Sequence, residues 1–184
     1  MRITNEHYLI VDLEATCSDD GRVPPHEMEI IEIGGVMQSA RTFEVESEFQ
    51  TFVRPVRHSE LTQFCTELTG ITQEKLTNAL SFREAIEAMK EWMYPFRDAL
   101  FCSWGDYDRK QFLQDCEFHR VAYPFRSGHL NLKAADSSVL GRKKKLGIGD
   151  AVRHLGMEFE GMHHRGLDDA RNIARIVRRV CIGV

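Results

Sequence analysis

Tyr8-Leu9-Ile10-Val11-Asp12-Leu13-Glu14-Ala15 decides the reading of this chain. A short apolar run without helical periodicity reads as a core strand. Asp12 and Glu14 close it two residues apart, a spacing that puts both side chains on one face. Two carboxylates on one face of a buried strand repel each other and lose hydration unless a cation lies between them. The stretch therefore predicts a core strand that ends in a cation site.

Two more strands follow at short spacing. Glu29-Ile30-Ile31-Glu32-Ile33-Gly34-Gly35-Val36-Met37 is one, and Phe43 to Val53 is the next, ended by Pro55. The links are too short for crossover helices, so the three strands form an antiparallel meander. Thr62 to Leu68 is a short helical candidate, with Thr72 a cap for the next turn. Ser81 and Glu84 make a capping-box pattern ahead of Ala85, Ile86, Met89, Trp92, Met93 and Phe96 at helical spacing. That helix stops before Pro95, and Ala99 to Trp104 is again a strand. A helix between strands is the crossover that makes a sheet partly parallel. Asp108 to Phe118 forms a helix with Phe112, Leu113 and Cys116 inward. Asn131-Leu132-Lys133 opens another element, and Ile148–Leu155 and Gly166–Val180 are helices. The fold class is α/β, a mixed sheet flanked by helices.

The 184 residues suit a single domain over 1–184, with 42% hydrophobic content, no repeat and no linker. No apolar stretch reaches membrane-spanning length and no signal segment precedes the first strand, so a cytoplasmic protein without membrane contact is expected. Five scattered cysteines at 17, 65, 102, 116 and 181 suggest neither a disulfide framework nor a zinc ribbon. They read as buried thiols, with Cys17 the exposed exception. The net charge of −4 argues against strong non-specific binding to long duplexes. Two basic patches could still face a phosphate chain, Arg142 to Lys145 and Arg175, Arg178 and Arg179. Each has a solvated surface as its plain alternative.

The acids carry the chemistry. Asp106 and Asp108 follow a strand, and His164 precedes Asp168 and Asp169. Asp108 can turn back toward the sheet edge, and Asp169 sits in the first turn of a helix, where a negative side chain is favoured. Asp12, Glu14, Asp108 and Asp169 come from separate elements and can converge on two divalent ions. An all-oxygen set suits Mg²⁺ or Mn²⁺. Such a pair of ions can bridge a scissile phosphate. His164 lies five residues before Asp169 with Gly166 between, so a loop can hold a neutral imidazole over the site as general base. Asp106 or Asp168 alone reads as a cap or a surface acid.

Three segments together are specific. Val11-Asp12-Leu13-Glu14-Ala15-Thr16, Trp104-Gly105-Asp106-Tyr107-Asp108 and His164-Arg165-Gly166-Leu167-Asp168-Asp169-Ala170 resemble the three motifs of the DEDDh 3′-5′ exonucleases. Within that family the chain looks like the ERI-1 / 3′hExo type, a likeness that also runs through Pro25-His26-Glu27, Phe64 to Thr72 and Leu155-Gly156-Met157. The resemblance implies a ribonuclease H-like fold with a mixed five-stranded sheet. It implies removal of 5′-monophosphate nucleotides from single-stranded 3′ ends, RNA favoured over DNA. The metal ligands would be Asp12, Glu14, Asp108 and Asp169, and the base His164. Leu13 and Ala15 would lie beside the terminal sugar. Phe64, Leu68, Thr69 and Ile71 would wall the base, with plain core an equal reading for Phe64; Trp104 reads as core. Members of this type often carry an additional N-terminal nucleic-acid-binding domain. Here residue 12 is already the first ligand, so a bare catalytic domain is expected. Three alternatives stay open: a DNA exonuclease, an oligonucleotide phosphodiesterase, and a non-catalytic module that binds nucleic acid or protein. Monomer and homodimer are both compatible with the sequence.

Overall fold

A computed structural model describes residues 5–126, 128–141 and 145–182. In chain order the strands are β1 (His7–Ala15), β2 (Ile30–Ser39), β3 (Val45–Phe52), β4 (Leu100–Ser103) and β5 (His129–Asn131). The helices are α1 (Gln63–Thr69), α2 (Gln73–Thr77), α3 (Phe82–Met93), α4 (Tyr107–His119), α5 (Leu132–Val139), α6 (Ile148–His154) and α7 (Gly166–Ile182). They build one five-stranded sheet in the order β3-β2-β1-β4-β5. β1, β2 and β3 pair antiparallel, as the short links require, while β4 and β5 join in parallel.

Alternation along β1 divides the interior in two. Leu9, Val11 and Leu13 face one core with Phe82, Ile86 and Met89 of α3 and Phe112 of α4. Ile10 faces the other with Ala151 and Val152 of α6 and Ala170, Ile173 and Val177 of α7. By period two, Asp12 and Glu14 continue the face of Ile10. They emerge where that face meets the first turn of α7.

Local chemistry sets the helix ends. At the head of α3 the Ser81 N–H donates to Glu84 Oε2 at 2.8 Å and the Glu84 N–H donates back to Ser81 Oγ at 3.4 Å. Thr62 caps α1 by accepting from the Cys65 N–H at 3.0 Å, and Gly70 ends α1 in the left-handed conformation. Thr72 stands at the N-cap of α2 but makes no side-chain cap hydrogen bond. Asn131 ends β5 and caps α5 through the Ala134 N–H.

Several expectations change. Leu113 is on the outer side of α4 and 41% exposed, because the apolar face of that helix is carried by Phe112 and Cys116 alone. The exposed thiol is Cys181; Cys17 is half-buried against the end of β1. Arg175 and Arg178 are not free cations: Arg175 pairs with Glu160, and Arg178 with Glu44. Of the other basic patch, Arg142, Lys143 and Lys144 lie outside the described residues. Among the described residues no helix is long and apolar enough to cross a membrane.

Candidate active site

Two glycines bring the two motif-bearing ends together. Gly34 stands opposite Asp12 in the β1–β2 pairing. A Cβ there would lie 2.0 Å from the Gly166 carbonyl carbon, and a Cβ on Gly166 would lie 2.9 Å from the Asp12 carbonyl oxygen. Both distances are far inside van der Waals contact. Only hydrogen at both positions lets the N-terminus of α7 lie on the strand pair beside Asp12.

The acids then meet. Carboxylate oxygens of Asp12, Glu14 and Asp169 lie within 4.8 Å of one another. Asp108, in the first turn of α4, stands beside that group; its Oδ1 accepts from the Leu13 N–H at 3.1 Å. Burial, then the charge of Asp108 and of Asp169, pushes Asp12 well above the usual carboxylate range. Burial followed by Asp169, Glu32 and Asp108 pushes Glu14 to about 9. Burial also lifts Asp108 and Asp169 to about 6 each, against the hydrogen bonds that hold them down. Among the described residues nothing donates a hydrogen bond to the buried Asp169 Oδ1. A cluster this crowded, with one acceptor left open and only hard oxygen donors, fits divalent cations such as Mg²⁺.

A further ion pair braces the site from below. Glu32, fully buried on β2 opposite Glu14, accepts from Arg165 Nε at 3.0 Å and from Gln50 Nε2 at 2.6 Å. Arg165 links His164 to α7, so the pair ties the histidine loop to the sheet. His164 adopts a left-handed backbone (φ 62°), and its N–H donates to Asp169 Oδ2 at 2.7 Å. Burial, then His163, lowers the His164 pKa, which keeps the ring neutral near pH 7. His163 is an edge-on neighbour, with ring centroids 4.1 Å apart, and its Nε2 is 3.9 Å from Asp169 Oδ1. A ring nitrogen of each histidine lies within 4.8 Å of an Asp169 carboxylate oxygen.

An open cleft of about 890 Å³ lies over these groups. Asp12, Leu13, Glu14, Ala15, Leu68, Asp108, His164 and Asp169 all line it. Phe64 lines a separate depression with Ser18 and Arg22. Thr69 and Ile71 are completely buried, Ile71 in a small apolar cluster with Ile31, Cys65 and Leu76. The structure thus brings Leu68 to the cleft and leaves Phe64, Thr69 and Ile71 off it. Trp104 is 8% exposed, in the core as expected, yet one side of it reaches the cleft. Asp106 is the exposed N-cap of α4, and Asp168 is engaged by the Met162 N–H and by Arg171. Sequence reasoning missed Tyr107, 46% exposed at the cleft beside Asp108, and the Gly147–Arg153 edge of α6. An aromatic residue directly before a buried acid on a strand-to-helix turn is the signal that could have found Tyr107.

Comparison with known proteins agrees with this geometry. The model of the exonuclease family, RNase T type, matches residues 9–177. Human ERI1 exoribonuclease 3 is 38% identical over 181 residues, covering 94% of this chain and 52% of that protein. Human 3′-5′ exoribonuclease 1 is 34% identical, covering 95% and 52%. The chain spans about half the length of these relatives. The nuclease domain of 3′hExo, a DEDDh family member bound to rAMP, superposes with a TM-score of 0.91 at 31% identity, covering 98% of this chain and 94% of that one. The fold is that of the DEDDh exonucleases, the ribonuclease H-like mixed sheet.

Proposed function

The chain belongs to the exonuclease family of the RNase T type, and on that premise we propose that it is a metal-dependent 3′-5′ exonuclease. It removes nucleotides from the 3′ end of single-stranded nucleic acid, RNA in preference to DNA, and releases 5′-monophosphates. The observation that carries this reading is the crowded carboxylate group of Asp12, Glu14 and Asp169, with an open acceptor, under a neutral histidine in an open cleft. The preference for RNA rests on the relatives, which are named exoribonucleases. We take residues 1–184 as one catalytic domain.

Asp12, Glu14, Asp108 and Asp169 would hold two divalent ions, Mg²⁺ or Mn²⁺. When bound, such ions neutralise the phosphate, lower the pKa of water and stabilise the leaving oxygen. The chain's own residues do the rest. His164, neutral and poised over the carboxylates, accepts the proton of the attacking water. Asp169 fixes the histidine backbone through its Oδ2, and Arg165 with Glu32 holds the loop from the other side. Leu13, Ala15 and Leu68 give the terminal nucleotide an apolar seat. Apolar contact is tolerant of base identity, which suits successive removal of any nucleotide.

Digestion of a 5′-labelled single-stranded RNA and its DNA twin with Mg²⁺ or Mn²⁺, beside Asp12→Asn, tests the reading. A ladder shortening from the 3′ end, faster on RNA and absent in the variant, is expected. Intact strands of both kinds would overturn the proposal, and equal rates would overturn the RNA preference.

A further inference from the structure

We infer that Cys17 and Cys65 are a redox pair whose disulfide staples the cleft wall to the end of the catalytic strand. Cys17 packs against the small apolar cluster that holds Cys65, 48 positions away in sequence, and each thiol shifts the other's titration. Cys17 lies three residues beyond Glu14, half-buried, and lines the cleft. Cys65 is fully buried on α1, and its Sγ lies 3.7 Å from the Ala15 carbonyl oxygen.

The two segments are already clasped. The Thr62 hydroxyl donates to the Cys17 carbonyl at 2.7 Å and accepts from the Cys65 N–H at 3.0 Å. Backbone on both sides of the thiol pair is therefore held in register before any bond forms. One turn along α1 from Cys65 is Leu68, which faces the cleft. Interaction between the two thiols lowers the Cys65 pKa and raises that of Cys17, while burial alone pushes the Cys102 thiol up. The pair thus combines one sulfur open to the cleft with a second, more acidic one behind it.

The chemistry balances with a hydroperoxide as oxidant. Hydrogen peroxide oxidises one thiol to a sulfenic acid and is reduced to water. The second sulfur attacks the first, the S–S bond forms, and the hydroxyl leaves as a second water with the remaining thiol proton. A thiol reductant reverses the bond by exchange. Closing it draws the sulfurs to about 2 Å and pulls α1, with Leu68, toward β1.

The test uses the full chain carrying Cys181→Ser, which removes the exposed thiol and with it coupling between molecules. After peroxide treatment without metal, intact mass should fall by about 2 Da. Two thiols should disappear on denaturation, and a Cys17–Cys65 cross-linked peptide should be found; dithiothreitol should restore the starting mass. Adding Cys17→Ser or Cys65→Ser should abolish the mass loss. Oxygen addition without that loss, or an unchanged loss in Cys17→Ser, would overturn the pairing. A final arm alone rests on the exonuclease reading: the oxidised protein should shift KM for single-stranded RNA severalfold with kcat within about twofold. An unchanged KM would overturn the effect on the wall, while the mass arm stands whether or not the protein cuts RNA.

Discussion

Replacing Glu14 by Gln should stabilise the metal-free protein. The carboxyl has an ordinary value of 4.5 and is pushed to about 9 in the fold. At pH 7 the unfolded chain carries it ionised, while the folded chain holds it protonated. Taking up that proton costs about 3 kcal/mol, the 2.5-unit gap between pH 7 and 4.5 at about 1.4 kcal/mol per unit. Gln is neutral in both states and escapes the cost. The figure is an upper bound, because Asp12, Asp108 and Asp169 share protons with Glu14. For a chain of this size it corresponds to a rise in Tm of at most roughly 6–12 °C. The sign with pH is fixed. A raised carboxyl pKa favours the fold below the unfolded value, and that advantage is lost as pH climbs from 4.5 toward 9. The difference between variant and parent should therefore vanish near pH 4 and widen steadily through neutrality. Thermal melts in EDTA from pH 4 to 9 measure it. Saturating Mg²⁺ should narrow the gap, since binding stabilises the parent by about 3 kcal/mol at a hundredfold excess over Kd and the variant by less. A variant that melts at or below the parent in EDTA at pH 7, or a gap that does not change with pH, would refute the crowded-carboxylate reasoning.

His164→Ala should lower kcat by roughly 10²–10⁴ while leaving the Mg²⁺-induced rise in Tm in place, since the role proposed for the imidazole is to move protons rather than hold a cation; loss of the Tm response would reassign it. Gly34→Ala puts a Cβ 2.0 Å from the Gly166 carbonyl carbon, backbone that cannot swing aside, so a loss above about 4 kcal/mol is expected. Recovery of soluble protein melting within a few degrees of the parent would contradict the close approach. Mg²⁺ affinity, followed by calorimetry, should weaken as pH falls from about 9, where protons first compete for Glu14, and more steeply below about 6, where they compete for Asp108 and Asp169 as well. A flat affinity between pH 5 and 8 would show that those two acids are not ligands.

What was legible in the sequence was local. Period two placed Asp12 and Glu14 on one face, and the short links made β1, β2 and β3 a meander. The capping box at Ser81 gave the start of α3. What failed depended on distant partners. Nothing near Arg178 announces Glu44, which reaches it from the turn before β3. Nothing near Thr69 or Ile71 tells which side of α1 meets the cleft, and that side is the one bearing Leu68. β5 has three residues, and its half-buried side chains give no alternation to read.

Gly34 shows why the site itself was only half visible. Inside a strand a glycine reads as weakness or as a bulge. Here its purpose lies 132 positions away, at Gly166, where the head of α7 comes down onto the sheet. That contact delivers Asp169 to Asp12 and Glu14, with His164 on the turn just before it. The same contact creates the cost, because it buries four like charges together and raises the pKa of each. A fold selected for stability alone would replace one of these acids with an amide. Their retention, with a buried oxygen left open, puts the requirement on something that enters from the cleft, and a divalent cation escorting a phosphate answers it.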